Sequence, residues 1–246
     1  MNAEIVTAQL VDWLRNEVEK AGCRGVVVGI SGGVDSAVVA AIAKKAFPTH
    51  CMGLFLPCES NFQDLLDGQS VVESLDMPNQ LIELDDAYRM LVTQLEGFRK
   101  KDGDLGRMIR GNIKPRLRML CLYFCAQSKN YLVLGTSNKS EIAVGYATKY
   151  GDSGVDLQLL GDFYKEEVYE LARYLEVPSS VIEKAPSGGL WQGQTDEIEM
   201  GVRYESIDRF LQTGEGEPDK VAIIKSMMEK SEHKKKMPPI AVVSRD

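Results

Sequence analysis

The chain has 246 residues, enough to bury a sizeable core in one α/β domain, and its 44% hydrophobic and 26% charged residues are those of an ordinary globular protein. A formal net charge of −7 argues against a general nucleic-acid binder, whose surface would be basic, so any anionic ligand has to be held by local basic clusters. No uninterrupted apolar run approaches membrane-spanning length, and acidic Glu4 and Asp12 stand where a signal peptide needs basic residues, so a cytoplasmic chain with no membrane or nucleic-acid partner is expected.

Residues 3–20 interleave Ile5, Leu10, Trp13, Leu14 and Val18 with charged positions, which predicts an amphipathic opening helix. Strands are predicted at 26–30, 51–57, 80–84 and 131–136, with a shorter fifth near 155–160, and helical patterns lie between them. Such alternation predicts an α/β fold with a parallel sheet and helices on both faces, which binds ligands beyond the C-terminal ends of its strands. In the order 3-2-1-4-5, Ser31 after the first strand and Thr136 at the end of the fourth would meet at the topological switch point. From residue 186 the pattern changes. A flexible loop, Pro186 to Gln194, precedes helical stretches near 196–211 and 217–231. No repeat, low-complexity tract or long linker interrupts the chain, so a single domain over 1–246 is expected, with its α/β core at about 25–185 and a C-terminal loop and helices at 186–246.

The most informative stretch joins the apolar run Val26-Val27-Val28 to the helix-like run from Ala37 through Gly29-Ile30-Ser31-Gly32-Gly33-Val34-Asp35-Ser36. A loop at a helix N-terminus offers unpaired N–H groups and the positive end of the helix dipole to an anion, and a glycine pair lets the backbone come close to it. Three motifs compete here. A Walker A loop is excluded, because Val34 and Asp35 occupy the places of its Lys and Ser or Thr. The G-x-S-x-G nucleophile elbow fits, with Ser31 as nucleophile, but needs a late histidine, and the only one is His233 in a polar and mobile-looking segment, Glu232-His233-Lys234-Lys235-Lys236. The pyrophosphate loop S-G-G-x-D-S fits in full from Ser31 to Ser36, with Asp35 able to hold Mg²⁺. A plain Gly-Ser turn capping a core helix is the alternative without function.

Four further clusters are dense in polar chemistry. Gly111-Asn112-Ile113-Lys114-Pro115-Arg116-Leu117-Arg118 places three cations near a helix start marked by Pro115, either for a ligand or as a solvated basic face. Leu134-Gly135-Thr136-Ser137-Asn138-Lys139-Ser140-Glu141 repeats the strand, hydroxyl loop and helix plan, and Glu141 is either a second magnesium ligand or a carboxylate favoured by a helix N-terminus. Thr148 to Asp156 packs two Gly and two Asp around Lys149. Lys165 near a helix start is disfavoured unless an anion is nearby. The five cysteines, odd in number and mostly in apolar runs, are expected to be reduced core thiols, and Cys121 and Cys125 lack the partners of a zinc site.

Taken together these motifs carry a resemblance. The chain resembles the ammonia-dependent NAD synthetases among the N-type ATP pyrophosphatases, from the first strand almost to the C-terminus. S-G-G-x-D-S alone leaves the superfamily open; G-N-x-K-x-R-x-R at 111–118, L-G-T-x-x-x-x-E at 134–141, T-K-Y-G-D-x-G at 148–154 and Glu232-His233-Lys234 narrow it. The resemblance implies a Rossmann-like adenine nucleotide α-hydrolase fold with a five-stranded parallel sheet. It makes Gly29, Ile30, Ser31, Gly32, Gly33, Val34, Asp35, Ser36, Thr136, Lys165 and Ser187 contacts to ATP. Arg116, Lys149, Asp156, His233 and Lys234 become contacts to deamido-NAD, and Asp35 and Glu141 become ligands of Mg²⁺. Ser187 replaces a threonine common at its place, and Ser137-Asn138-Lys139-Ser140 replaces a frequent D-H-A-A.

The implied reaction adenylates a nicotinate carboxylate with ATP, releases pyrophosphate into the Ser31 to Ser36 loop, and lets ammonia displace AMP. Lys165 would offset charge on the phosphates, and Asp152 is the candidate for gathering ammonium and accepting its proton. No glutamine-hydrolysing domain fits in the chain, so free ammonia is the expected nitrogen source. The family pattern implies a homodimer, to which the opening helix could contribute. Another ATP pyrophosphatase with a different acceptor, or an α/β-hydrolase with Ser31 as nucleophile, are the alternatives.

Overall fold

Three consecutive valines determine the centre of the sheet. In the computed structural model, which describes residues 1–98, 103–191 and 193–245, Val26, Val27 and Val28 are all fully buried in strand β1 (Gly25–Gly29). Side chains alternate across a strand, so Val26 and Val28 enter one core and Val27 the other. Strands β2 (Cys51–Phe55) and β4 (Tyr131–Gly135) flank β1 in parallel, Val27 pairing with Met52 and Val133. The short outer strands β3 (Asn79–Leu81) and β5 (Leu157–Gln158) complete the order β3-β2-β1-β4-β5. Both are briefer than the sequence pattern suggests, because only their inner edges find a partner and β3 is exposed at all three residues.

Helices cover both faces. On one lie α1 (Ala3–Lys20), α2 (Val34–Ala46) and α3 (Phe62–Ser74); on the other lies α4 (Asp85–Leu95). After a short α5 (Asp104–Gly111), α6 (Ile113–Lys129) packs on the Val27 face, and α7 (Lys139–Val144) follows β4. Helices α8 (Lys165–Tyr174) and α9 (Ser179–Ile182) return to the Val26 face. The apolar stripe of α1, with Val11, Leu14 and Val18, is buried within the chain against α2 and α8, while Ile5 and Trp13 of the same helix are exposed.

Two differences from the sequence pattern lie at the C-terminal end. The stretch near 196–211 divides into α10 (Asp196–Met200) and α11 (Tyr204–Thr213), because Gly201 takes a left-handed φ of 69° that ends the first helix. The last helix, α12 (Pro218–Lys235), runs through Glu232-His233-Lys234 rather than leaving them in a mobile segment. Its end is anchored, since Lys234 Nζ donates to the Gly145 and Ala147 carbonyls at 2.8 and 2.7 Å. Gly145 makes this approach possible: its φ is 67°, and a Cβ there would lie 2.0 Å from the Ser231 side chain. Among the described residues, no helix is long and apolar enough to cross a membrane.

Candidate active site

The C-terminal ends of β1, β2 and β4 open into one cleft of about 420 Å³, a volume suited to a small-molecule ligand. Its floor is the turn from β1 into α2. Gly32 sits there at φ 75°, and any Cβ would come 2.2 Å from the Asp64 carbonyl at the start of α3. Only glycine fits both requirements. The hydroxyls of Ser31 and Ser36 lie 3.0 Å apart, Ser36 Oγ donates to the Gly33 carbonyl at 2.9 Å, and the Gly33 N–H donates to Ser31 Oγ at 3.2 Å. Hydroxyls and amides therefore converge at the α2 N-terminus, where anions are favoured.

A charged cluster closes this end. Lys165, 3% exposed, donates from Nζ to Asp35 Oδ2 at 2.6 Å and to Glu141 Oε1 at 3.3 Å. Burial works against the Lys165 ammonium, but Asp35 and Glu141 outweigh it and hold the amine above its usual range. Burial also pushes the Glu141 carboxyl up, while Lys165 pulls it back. Asn138 orders both carboxylates: its Nδ2 donates to Asp35 Oδ1 at 2.9 Å, and its side chain and backbone form a capping box with Glu141. Glu141 thus serves the α7 N-terminus and faces the lysine at once. Two carboxylates at one point are the hard oxygen donors that Mg²⁺ takes. Among the described residues no group of three His, Cys, Asp or Glu could hold a metal unaided. The donor set fits a magnesium ion that draws its remaining ligands from phosphate oxygens and water.

Of the other expected nucleotide contacts, Thr136 and Ser187 line the cleft together with Gly29, Ile30, Gly33 and Val34. Asp152 lines it too, accepting from the Thr148 N–H at 3.0 Å; burial raises its carboxyl above the usual range and the Thr148 bond lowers it again. Lys234 is the one member of the expected dinucleotide set in the cleft wall. Arg116 and Lys149 are joined to it through backbone: Arg116 donates to the Lys149 carbonyl at 3.2 Å and Lys149 Nζ to the His233 carbonyl at 2.7 Å, but Arg116, Lys149 and His233 lie outside the cleft. Asp156 is apart again, accepting from Tyr123 Oη at 3.0 Å and the Val133 N–H at 2.8 Å. In the 111–118 cluster the cations divide: Lys114 is buried and donates to the Leu190 carbonyl at 3.0 Å, Arg118 donates to the Leu56 carbonyl at 3.1 Å, and Arg116 alone is solvent-exposed.

The serine-elbow reading fails on geometry. Neither histidine lines the cleft; His50 lies where β2 begins, bonded to Tyr131 at 3.2 Å, at the opposite end of the parallel sheet from Ser31. His233 stands on the last turn of α12 with no bond to Ser31. All five cysteines are free thiols, Cys51 and Cys58 being buried.

Sequence reasoning misses several cleft residues. Lys184 bridges Asp64 and Asp67 at 2.6 and 2.7 Å, and half-buried Tyr146 forms a polar group with the buried Asp196 and Tyr204 beside Glu141. Asn138 has a readable signal, the N-cap residue three positions before Glu141. The tyrosines have none, because nothing local marks a phenol that finds its partners only in the fold.

The arrangement matches known proteins along the whole chain. The family model described as NAD synthase matches residues 6–238. The chain belongs to the NAD synthase family. Membership in that family makes it a ligase of NAD biosynthesis. It is 58% identical over 243 residues to the NH(3)-dependent NAD(+) synthetase of Syntrophomonas wolfei, covering 99% of this chain and 98% of the relative. Among solved structures, the NMN synthetase of Francisella tularensis superposes with a TM-score of 0.92 at 36% identity, covering 100% of both chains. The NH3-dependent NAD synthetase of Campylobacter jejuni, in complex with the nitrate ion, gives a TM-score of 0.80 at 32% identity, covering 98% of this chain and 100% of that one. The cleft and the Ser31 to Ser36 loop thus sit in a NAD synthase framework.

Proposed function

We propose that the chain amidates deamido-NAD to NAD with ATP and ammonia through an acyl adenylate. The observation that carries this reading is the meeting of the Ser31 to Ser36 anion loop with Lys165, Asp35 and Glu141 at one end of the cleft. A carboxylate is a poor acyl donor because oxide is a poor leaving group; attack of its oxygen on the α-phosphorus of ATP forms the acyl–phosphate bond and expels pyrophosphate. The loop amides, Ser31, Ser36 and Lys165 hold the departing anion. Asp35 and Glu141 would hold magnesium, which supplies positive charge against the phosphates when bound. Ammonia then forms the amide bond, AMP leaves with the oxygen that was the carboxylate's, and Asp152 accepts the proton that nitrogen loses.

Ser187, Thr136 and the residues from Gly29 to Val34 are the proposed nucleotide contacts, and Arg116, Lys149, Asp156, His233 and Lys234 the dinucleotide contacts. Four of this second set lie outside the cleft, and on α6, which carries Arg116, Phe124 is 74% and Leu120 61% exposed. That apolar, charge-flanked face supports a homodimer whose partner would border the dinucleotide. The whole chain is proposed to work as one cytoplasmic domain.

Nicotinate mononucleotide as acceptor is the second reading, favoured by the likeness to the Francisella NMN synthetase. One experiment tests both: purified enzyme is incubated with ATP, magnesium, ammonium and either deamido-NAD or nicotinate mononucleotide, and amide, AMP and pyrophosphate are quantified. Equimolar NAD, AMP and pyrophosphate, with a higher kcat/KM for deamido-NAD, is the expected result. Preference for the mononucleotide replaces the first reading with the second, and no AMP with either acceptor removes both.

A further inference from the structure

Beside the charged cluster runs a chain of polar side chains that the proposed chemistry does not use, buried at Tyr204, Asp196 and Gln194, half-buried at Tyr146 and open to solvent at Glu199. Tyr204 Oη lies 3.2 Å from Glu141 Oε1 and 2.9 Å from Asp196 Oδ2. On its other oxygen, Asp196 Oδ1 faces Tyr146 Oη at 3.0 Å, and Tyr146 Oη also reaches Glu199 Oε2 at 2.8 Å. Gln194 continues the line, donating from Nε2 to Glu199 at 2.6 Å and accepting the Leu190 N–H on Oε1 at 2.7 Å. The Asp196 N–H donates to the Pro186 carbonyl at 3.0 Å. A continuous path therefore leads from the backbone of the 186–194 loop to the carboxylate that faces Lys165. Gln192 of that loop lies outside the described residues.

We propose that Tyr146, Asp196 and Tyr204 are positioning residues that tie the conformation of the 186–194 loop to occupancy of the phosphate end of the cleft. Each phenol has one hydrogen and stands between two carboxylates, so it can donate fully to only one of them at a time. When Glu141 turns toward another cation, Tyr204 is left to donate to Asp196 alone. Asp196 then needs less from Tyr146, whose hydrogen moves toward Glu199, the residue that holds Gln194 against the Leu190 peptide. The loop is gripped from the other side by Lys114 Nζ on the Leu190 carbonyl, at 3.0 Å. Leu190 is therefore held at both its N–H and its carbonyl, and a change on the Gln194 side shifts the loop without breaking its tie to α6. Burial makes the inner part of the line stiff: Asp196 is 4% and Tyr204 5% exposed, and polar groups at such sites keep their partners because water cannot replace them, whereas Glu199 at its outer end meets solvent. The coupling is reciprocal by linkage: if filling the phosphate end favours one conformation of the loop, that conformation tightens the phosphate end by the same factor.

The coupling presupposes the adenylate chemistry proposed above and a loop that covers the adenylate, and the test separates cover from relay. The variants are Tyr204→Phe and Tyr146→Phe, which remove one hydroxyl each and keep the ring, made in a Trp13→Phe background so that Trp191 is the sole tryptophan. ATP with magnesium is titrated while ATP affinity is read by equilibrium dialysis and the loop by the rate of protease cleavage within it together with Trp191 emission; in a separate turnover with ATP, magnesium, deamido-NAD and ammonium, NAD formed per AMP released is read. The unsubstituted loop is expected to become about fivefold or more resistant to cleavage with ATP bound, the lower end of ordinary coupling between sites. Both Phe variants are expected to bind ATP within about threefold of the parent, yet to lose most of that protection and to release AMP in excess of NAD as water reaches the adenylate. If the parent loop gains no protection, the cover and the relay fall together. If the parent is protected and either Phe variant equally so, the relay alone is overturned. Loss of ATP affinity in step with protection also overturns it, because the hydroxyls would then serve the nucleotide directly. Should Tyr204→Phe not fold, Tyr146→Phe decides the matter, since its hydroxyl meets no residue of the charged cluster.

Discussion

Lys165 Nζ and Asp35 Oδ2 meet at 2.6 Å across 130 residues of sequence, one at the N-terminus of α8 and the other in the first turn of α2. Each solves a problem for the other. A lysine at a helix start opposes the dipole, and a carboxylate beside it reverses that penalty. Lys165→Met leaves Asp35 and Glu141 facing each other without a cation, and breaking a buried pair in this way costs about 3–5 kcal/mol. The expected outcome is a large drop in the denaturation midpoint together with loss of pyrophosphate release; a variant of wild-type stability contradicts the pairing as a structural element.

Asp35→Asn separates chemistry from folding. Glu141 still partners Lys165, and Asn138 can still reach the side-chain oxygen, so the thermal transition should move little. Pyrophosphate release with ATP and deamido-NAD should nearly vanish, since a magnesium ligand is weakened without any change in volume. Wild-type turnover at saturating magnesium rules out the metal role.

At Gly32 the requirement is steric. Gly32→Ala places a Cβ 2.2 Å from the Asp64 carbonyl at a φ of 75°, and the left-handed backbone alone costs on the order of 1–2 kcal/mol for a residue with a side chain. Stability should fall by at least that amount, and ATP affinity should fall further because the loop must move away from α3. Unchanged ATP binding by dialysis would mean that the turn is not the phosphate grip.

How much of the fold and site is legible in the sequence depends on how local each determinant is. The Val26-Val27-Val28 run, the glycine pair and the alternation of strands and helices specify β1, the turn into α2 and the order of the sheet, because each follows from a few neighbouring residues. Glu141 is readable twice, as a cap and as a ligand, and the structure places it to serve the helix and face the lysine at once. Tyr146, Asp196 and Tyr204 are invisible, since their partners lie on α7, α10, α11 and the 186–194 loop and only the packing of α11 and α12 against α7 brings them together. The helical state of His233 is hidden for a related reason: Lys234 finds the carbonyls of Gly145 and Ala147 only in the fold, and these extend α12 over a stretch whose composition alone suggests a loose tail.

Asp152 faces the cleft and takes the Thr148 N–H at 3.0 Å, with Lys234 close enough to stabilise its charge. In Asp152→Asn, single-turnover pyrophosphate release without ammonium should persist, while NAD formation after ammonium addition slows and needs more ammonium. That deficit should shrink as pH rises and free ammonia replaces ammonium, because the lost group is the one that accepts the proton. Equal slowing of both half-reactions withdraws the assignment.

The acyl adenylate itself is tested most directly by following one oxygen atom. Deamido-NAD labelled with ¹⁸O in both oxygens of its nicotinate carboxylate is converted with ATP and ammonium, and the AMP, pyrophosphate and NAD are analysed by mass spectrometry. Attack of the carboxylate on the α-phosphorus predicts one ¹⁸O in the AMP phosphate, one in the NAD amide and none in pyrophosphate. AMP without label, or label in pyrophosphate, contradicts activation at the α-phosphorus and with it the role given to the Ser31 to Ser36 loop.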